Sequence, residues 1–163
     1  MMHRIRIPVA ALLASLTNPA FSQSIYFDDF NYNKIESSFK YFSEKSPDSI
    51  AKFCKSLPHA SQEDMDQCGH RDFELADHEL TNEFGKFISK SEKNDLNLKK
   101  DSEPISLPYF MKSEETWLAY RDNYCYGETY GLGQASMRYQ VFWSCMTRMT
   151  KNRLAELKNP KDW

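Results

Sequence analysis

Three ionisable side chains recur at a spacing that places them on one face of a helix, where they resemble a set of metal ligands. His70, Glu74 and His78 recur every four residues in a segment with helical periodicity. Three such positions spread over roughly 12 Å along a helix, because each turn rises about 5.4 Å. One ion cannot hold all three, since zinc ligands lie about 2 Å from the metal. We therefore expect a solvated polar face, with no metal and no cofactor. A two-ligand site is the alternative.

The four cysteines are Cys54, Cys68, Cys125 and Cys145. They occur singly, without the Cys-x-x-Cys spacing typical of a four-thiolate metal site, and their even number favours two disulfides in an exported protein. We predict Cys54–Cys68 and Cys125–Cys145, because each pair closes a local loop with a chain reversal. The second pair is strained if the last helix begins at residue 134, since Cys145 would lie about 16 Å along it. A Cys68–Cys145 or a Cys54–Cys125 bridge is the alternative.

The sequence contains no recognisable catalytic motif. There is no Gly-x-Ser-x-Gly nucleophile elbow and no His-Glu-x-x-His zinc motif, and no reactive thiol remains once both bridges form. The 21 basic and 23 acidic residues give a mildly acidic chain, which argues against nucleic-acid partners and polybasic membrane patches. We therefore predict a protein that is not an enzyme and that acts by binding another protein.

The N-terminus predicts export. Two arginines precede an apolar run over residues 7–16, and Ala20-Phe21-Ser22 places small residues where signal peptidase cleaves. The run is about half of the roughly 20 residues that a membrane-spanning helix needs, and no later stretch is apolar enough to span. We expect cleavage near Ser22, a mature chain that begins at Gln23, no membrane span, and a location in the periplasm or outside the cell.

Helical periodicity dominates the rest of the chain, which has only five glycines. One short helix is predicted within residues 33–43. The clearest helix begins at an N-cap, Ser61, with Asp64 completing a weak capping box, and reaches about residue 91, where a polar linker follows over residues 94–104. Its apolar stripe is Met65, Cys68, Ala76, Leu80, Phe84 and Phe87.

Two more helices follow. One is predicted to begin at the N-cap Ser113 and to end at Gly127, and the other to run from about residue 134 to residue 158. The apolar face of the first comprises Trp117, Leu118, Arg121, Tyr124 and Cys125. The predicted fold is an all-α, small disulfide-stapled bundle of three to four helices. The predicted segments are a signal peptide (1–22), an N-terminal extension (23–53), a helical domain (54–158) and a tail (159–163).

Two blocks of the helical region carry a family resemblance. The first combines EDMDQC at residues 63–68 with ADHEL at residues 76–80. The second is WLAYRDNYC at residues 117–125, followed by a glycine-bearing loop, Cys145 and TKNRLAEL at residues 150–157. Together they resemble the LprI-type lysozyme inhibitor family of bacterial envelope proteins over residues 54–158. Thr81 and Phe84 depart from the usual Asn and Tyr. The resemblance implies a helical fold and inhibition of a lysozyme.

Four residues of these blocks are predicted to be structural: Asp77, Trp117, Arg121 and Arg153. A guanidinium beside Trp117 on an apolar face costs several kcal/mol unless it is paired. Asp77 is the natural partner of Arg121, and Arg153 is expected to bond helix-end carbonyls or an acid such as Asp122. The alternative is that one arginine reaches outward to a lysozyme carboxylate.

Partner binding is predicted in the loop over residues 127–133 and beside it, through Tyr126, Glu128, Thr129 and Tyr130. Tyrosine is a favoured hot-spot residue, and a carboxylate would face the rim of a cationic cleft. The alternative is a plain helix connector. The partner implied by the resemblance is a lysozyme-like glycosidase, whose cleft holds two carboxylates. The alternatives are immunity against a toxic effector and a structural role in the envelope.

Overall fold

The computed structural model describes residues 30–56 and 61–159. The predicted signal peptide, its cleavage site and the tail beyond residue 159 lie outside this part of the chain. Residues 30–35 belong to a unit of their own, and they contain one 3₁₀ turn, Tyr32–Lys34, capped by the side chain of Asn31. All other elements belong to a second unit that begins at Glu36.

The second unit contains five helices and no strand among its described residues. Two short helices come first, α1 (Ser38–Tyr41) and α2 (Pro47–Ser56). Three long helices follow, α3 (Gln62–Lys100), α4 (Leu107–Tyr130) and α5 (Arg138–Lys158). This arrangement confirms the all-α, disulfide-stapled fold. The extension predicted over residues 23–53 contributes α1 and most of α2 to the same compact unit.

The chain reverses direction after α3 and again after α4, so that α3 and α5 run in parallel. Gly69 packs against Trp143 near their N-terminal ends, and Glu79 pairs with Lys158 further along both helices. A Cβ atom at Gly69 would lie 3.0 Å from the Cβ atom of Trp143, so glycine permits this close approach.

Two groups of apolar side chains are buried. The larger group fills the space between the three long helices and comprises Phe73, Ala76, Leu80, Cys125, Phe142, Trp143, Met146 and Leu154. The smaller group lies beneath α1 and α2 and comprises Phe42, Ile50 and Cys68, with Phe53 and Cys54 partly buried against them. Three of the predicted stripe residues of α3 are therefore buried, and the others lie at the edges of the core.

The start of α3 agrees with its sequence signal. Ser61 and Asp64 form a reciprocal capping box, in which the Ser61 N–H donates to Asp64 at 2.9 Å and the Asp64 N–H donates to Ser61 Oγ at 3.1 Å. Hydrogen bonds from Ser61 lower the pKa of Asp64. The Tyr41 hydroxyl also donates to Asp64 at 2.8 Å, and this bond raises the pKa of Tyr41 to about 12. The capping box thus also ties α1 to α3.

The turn between α3 and α4 is shorter than predicted because Asp95 organises it. Its buried carboxylate accepts hydrogen bonds from the N–H and the hydroxyl of Ser106 and from the N–H of Leu107, at 2.8–2.9 Å. These bonds satisfy donors of the first turn of α4. Burial opposes the charge on Asp95, but the three hydrogen bonds lower its pKa below the ordinary value.

The predicted linker and helix boundaries in this region are therefore wrong. Helix α3 continues to Lys100, and α4 begins at Leu107 instead of Ser113, since Pro108 is compatible with the first turn of a helix. Helix α3 ends in a Schellman turn, in which Ser102 adopts a left-handed φ of 62° and the Glu103 N–H donates to the carbonyl of Leu98 at 2.8 Å.

Both predicted disulfides are present, Cys54–Cys68 and Cys125–Cys145, each with a Cα–Cα distance of 5.6 Å. The apparent strain of the second bridge came from wrong helix ends. Helix α4 runs on to Tyr130 and α5 begins only at Arg138. Cys125 and Cys145 therefore lie at similar distances from the turn that joins the two helices, and they face each other.

Candidate functional site

The predicted binding residues lie at the C-terminal end of α4 and not in a loop. Helix α4 passes through Gly127 and ends at Tyr130, and the turn that follows covers residues 131–137. Nothing lies within 4 Å of an added Cβ at Gly127, which sits on the exposed side of the helix. We call residues 124–137 the hairpin tip. The Cys125–Cys145 bridge joins α4 to α5 at the base of this tip.

Thr129 is the one predicted binding residue that the structure excludes. It is fully buried, and its hydroxyl donates to the carbonyl of Cys125 at 2.7 Å within the helix. Buried threonine hydroxyls commonly bond the carbonyl one turn earlier in this way. Thr129 therefore cannot contact a partner without local unfolding, and its role is structural.

Glu128 belongs to a polar group on the surface of the hairpin tip. Its carboxylate accepts hydrogen bonds from Arg148 Nη2 at 3.2 and 3.3 Å, and a hydrogen bond to Glu128 raises the pKa of Tyr124. The Arg148 side chain is 53% exposed and that of Glu128 35% exposed. Both side chains are therefore accessible to a partner. Arg148 was not predicted, because helical spacing alone does not show which residues of α5 meet α4.

Tyr126 and Tyr130 are half-buried against the core. Their rings stack at a centroid distance of 5.7 Å, and Tyr126 also contacts Phe142 at 5.0 Å. Burial raises the pKa of Tyr130. These two tyrosines therefore brace the end of α4, and only their outer edges can take part in binding.

Three larger apolar side chains of the hairpin tip are exposed. Tyr124 is 42% exposed, Leu132 40% and Met137 52%. The turn also contains Gly133 with a left-handed φ of 61°, a conformation that favours glycine. Met137 was missed because residues beyond 134 were assigned to a helix, and Leu132 was missed because only the carboxylate, threonine and tyrosines of the predicted loop over residues 127–133 were chosen as contacts.

Arg121 is buried among aromatic rings and paired as predicted. Its Nη1 donates to Asp77 at 2.8 Å, and its Nε donates to Asp122 at 3.0 Å. The guanidinium carbon lies 5.2 Å from the ring centre of Phe73 and 5.3 Å from that of Trp117. Burial alone would lower the pKa of Arg121, but Asp77 and Asp122 raise it, so the side chain remains charged.

The remaining members of the predicted apolar face of α4 are not buried as a group. Leu118 is 38% exposed and Tyr124 is 42% exposed, because α4 contacts α3 and α5 along one side only. Exposed Tyr120 lies beside Tyr124 at a centroid distance of 5.8 Å. The outer side of α4 thus carries tyrosines that lead to the hairpin tip.

Arg153 is paired with acidic residues, which is one of the two expected arrangements, but Asp122 is not among them. Its Nε and Nη2 donate to Glu114 at 3.0 and 2.9 Å, and its Nη1 donates to Glu156 at 2.9 Å. Asp122 is bound to Arg121 instead. Trp117 lies between the two arginines, since Cζ of Arg153 is 5.9 Å from its ring centre. Both arginines hold the helices together and neither reaches outward from the surface.

His70, Glu74 and His78 were expected to form a solvated face, and this prediction is wrong for His70. His70 is 5% exposed, and its ring stacks on Trp143 at 4.0 Å. Burial lowers the pKa of His70, although Glu74, 3.6 Å away, opposes this shift. Glu74 also accepts hydrogen bonds from the N–H and hydroxyl of Ser38, which attach α1 to α3. His78 is exposed, as expected.

The described part of the chain contains neither a candidate metal site nor a candidate membrane-spanning helix. Within residues 30–56 and 61–159, no group of three or more His, Cys, Asp or Glu side chains could hold a metal ion. No helix in this part of the chain is long and apolar enough to cross a membrane.

Comparisons with known proteins agree with the resemblance seen in the sequence. Residues 54–157 match the family model described as lysozyme inhibitor LprI. An uncharacterized protein of Rhizobium meliloti (strain 1021) is 27% identical over 100 residues, which make up 60% of this chain and 72% of that protein. No solved structure gives a significant match.

Proposed function

Because the chain belongs to the lysozyme inhibitor LprI family, we propose that it is an exported, non-catalytic protein that binds a lysozyme-like glycosidase and blocks its action on peptidoglycan. The hairpin tip is the proposed binding surface. The supporting observation is that exposed Tyr124, Leu132 and Met137 project beside a disulfide that joins both supporting helices. Glu128, Tyr126 and Tyr130 remain proposed contacts at the edge of this surface.

The shape and stiffness of the tip suit insertion into a cleft. A rigid surface loses little conformational freedom on binding, so more of its contact energy contributes to affinity. Tyrosine and arginine side chains near the centre of an interface commonly dominate that energy, and methionine is enriched in interfaces. The bridge between Cys125 and Cys145 lies directly behind the tip and limits its motion.

Arg148 adds an electrostatic component. The cleft of a glycosidase contains a pair of carboxylates, which attract a cation. The ion pair of Arg148 with Glu128 is exposed, and such pairs are worth about 1 kcal/mol or less. Arg148 can therefore exchange Glu128 for a carboxylate of the partner at little cost, and Glu128 is then released towards basic groups at the rim of the cleft.

The test measures inhibition of peptidoglycan lysis by lysozymes of several structural families. Leu132→Ser combined with Met137→Ser should weaken inhibition at least about tenfold, which corresponds to roughly 1.4 kcal/mol. Leu96→Ser is the matched control, because Leu96 is 59% exposed on α3 near the opposite end of the bundle. Equal inhibition by the double variant and by the control would exclude the hairpin tip as the binding surface.

Failure of the wild-type protein to inhibit any lysozyme would contradict the proposed partner. The same surface would then be tested against toxic effectors encoded beside the gene. Export is tested separately by N-terminal sequencing of the protein recovered from the periplasm or the medium. We expect Gln23 as the first residue, and an intact Met1 would contradict the export proposal.

A further inference from the structure

A groove of about 580 Å³ lies between the C-terminal half of α3, the first turn of α4 and the end of α5. Its volume is within the range of sites for small molecules, roughly 300–1,000 Å³. Its floor is formed by Phe87, Phe110 and Leu157, and its exposed lining is mainly apolar. Phe87 and Phe110 meet edge to face, with ring centres 4.7 Å apart. The groove is separate from the hairpin tip.

The walls of the groove are fixed by interactions described above. Ser106, at the α4 side, is held by two hydrogen bonds to Asp95. Lys158, at the α5 side, is held by its ion pair with Glu79. The first contact fixes the start of α4 to α3, and the second joins the end of α5 to a residue of α3 that is 79 positions away in sequence. A preformed cavity of this kind needs little reorganisation to accept a ligand.

Positive charge is concentrated on one side of the groove. Its charged lining residues are Lys86, Lys90 and Glu83 of α3 and Lys158 of α5, so that three cations accompany one carboxylate, whereas α4 contributes only uncharged residues. Lys86 pairs with Glu83 and Lys158 pairs with Glu79. Lys90 makes no ion pair with any residue in the described part of the chain. An anion bound beside Lys90 could therefore form an ion pair with it without displacing a carboxylate of the protein.

The electrostatic environment of Glu79 agrees with this concentration of positive charge beside the groove. Its pKa is lowered first by the hydrogen bond from Lys158, and the charges of Lys151 and Lys86 lower it further. The positive charges of Lys158, Lys151 and Lys86 therefore all act on the Glu79 carboxylate at this edge of the bundle.

We propose that this groove binds a single-chain anionic amphiphile, with its alkyl chain on the floor formed by Phe87, Phe110 and Leu157 and its head group beside Lys90. Such a ligand needs apolar contact for its chain, which the floor provides, and a cation for its head group, which Lys90 provides. A fatty acid carboxylate and the phosphate of a single-chain lipid share this chemistry. An acidic peptide with an aromatic side chain is the competing occupant. The proposal does not depend on lysozyme binding.

The test is isothermal titration calorimetry with the purified protein and three probes below their critical micelle concentrations. Dodecanoate and dodecyl phosphate distinguish the two kinds of head group, and dodecylphosphocholine supplies the same chain without net charge. We expect saturable binding of at least one anionic probe, at least tenfold tighter than that of dodecylphosphocholine. Lys90→Glu should weaken the anionic probe at least tenfold and leave dodecylphosphocholine unchanged. Phe110→Ser should weaken all three probes.

Lys55→Glu on α2 is the matched control, and it should leave every affinity unchanged. Circular dichroism melting confirms that each variant is folded. Three results would overturn the proposal: no saturable binding of either anionic probe, equal effects of Lys90→Glu and Lys55→Glu, or tighter binding of a glutamate-flanked phenylalanine peptide than of both anions. The last result would assign the groove to a protein partner.

Discussion

Replacing Arg121 with alanine should lower the free energy of unfolding by about 3 kcal/mol. Removing one member of a buried ion pair typically costs 3–5 kcal/mol, because the other charge is left without a partner. The side chains of Asp77 and Asp122 are 39% and 27% exposed, so water can rehydrate both carboxylates and keep the cost near the lower limit. Lost contacts with the rings of Phe73 and Trp117 account for about 1 kcal/mol of this loss.

A third interaction of the guanidinium is fully enclosed. Arg121 Nη1 also donates to the hydroxyl of Thr150 at 3.2 Å, and Thr150 has no exposed surface. Alanine leaves this hydroxyl beside a cavity, which is consistent with a loss of several kcal/mol in total. For a unit of this size, a loss of about 3 kcal/mol lowers the melting temperature by roughly 10 °C.

The assay is urea unfolding followed by circular dichroism, with Arg121→Ala, Asp77→Ala and the double variant forming a cycle. We expect a coupling energy of about 1–2 kcal/mol between the two residues. Arg148→Ala is the matched control, since its side chain is 53% exposed and its ion pair with Glu128 should contribute less than about 1 kcal/mol. A melting temperature of Arg121→Ala equal to that of the wild type would refute the argument.

Three further predictions concern stability. Gly85→Ala should stabilise the protein by about 1 kcal/mol, because alanine favours helix and nothing lies within 4 Å of the added Cβ. Gly69→Ala should bring no such gain, because its added Cβ would lie 3.0 Å from a tryptophan of α5. Equal shifts in thermal melting would contradict this. Burial raises the pKa of Asp66 to about 6, so the folded state favours the protonated acid and stability falls as the pH rises from about 4 through 6. Asp66→Asn should therefore stabilise the protein by about 1 kcal/mol at pH 7.5, a value kept small because the site is partly exposed, and should bring no gain at pH 4. Urea unfolding at both pH values measures this difference, and equal gains would show that burial of the Asp66 carboxylate is not the cause. Serine at both Cys125 and Cys145 should cost about 3 kcal/mol, since the bridge closes a loop of about 20 residues. An unchanged denaturation midpoint would show that the bridge adds no stability.

The features that were predicted well depend on local rules or on strong physical constraints. Ser61 and Asp64 are three residues apart, and that spacing alone specifies a capping box. The partner of Arg121 could be inferred although it lies 44 residues away, because a guanidinium on an apolar face requires an acid at the edge of the facing helix. The pairing of the cysteines followed from the two chain reversals.

The helix ends could not be read from the sequence because tertiary contacts decide them. Asp95 belongs to a polar run that resembles a linker, yet its carboxylate binds Ser106 and Leu107 on the next helix. A single sequence does not show a cap that comes from another helix. Pro108 and Gly127 also suggested breaks, although a proline fits the first turn of a helix and an exposed glycine costs a helix only about 1 kcal/mol.

Long-range pairing explains the errors in the candidate site. Glu114 and Arg153 are 39 residues apart, and Asp122 was an equally plausible partner until the two helices were placed side by side. His70 is polar and follows the spacing of an exposed row, but Trp143 covers its ring. The hairpin turn lies four residues later than predicted, so Met137 belongs to the turn and Thr129 belongs to helix α4, where it is buried.

The two ends of the bundle are held by different chemical forces. Cys68 and Cys145 lie near the parallel N-terminal ends of α3 and α5, so both covalent bridges strengthen the end that carries the hairpin tip. The opposite end depends on the hydrogen-bonded carboxylate of Asp95 and on ion pairs such as that of Lys158 with Glu79. A reductant should therefore loosen the tip and spare the groove, whereas acid and high salt should act first on the groove. One end of the bundle is thus sensitive to reduction and the other to acid and salt. Amide hydrogen exchange under each condition would show which end opens.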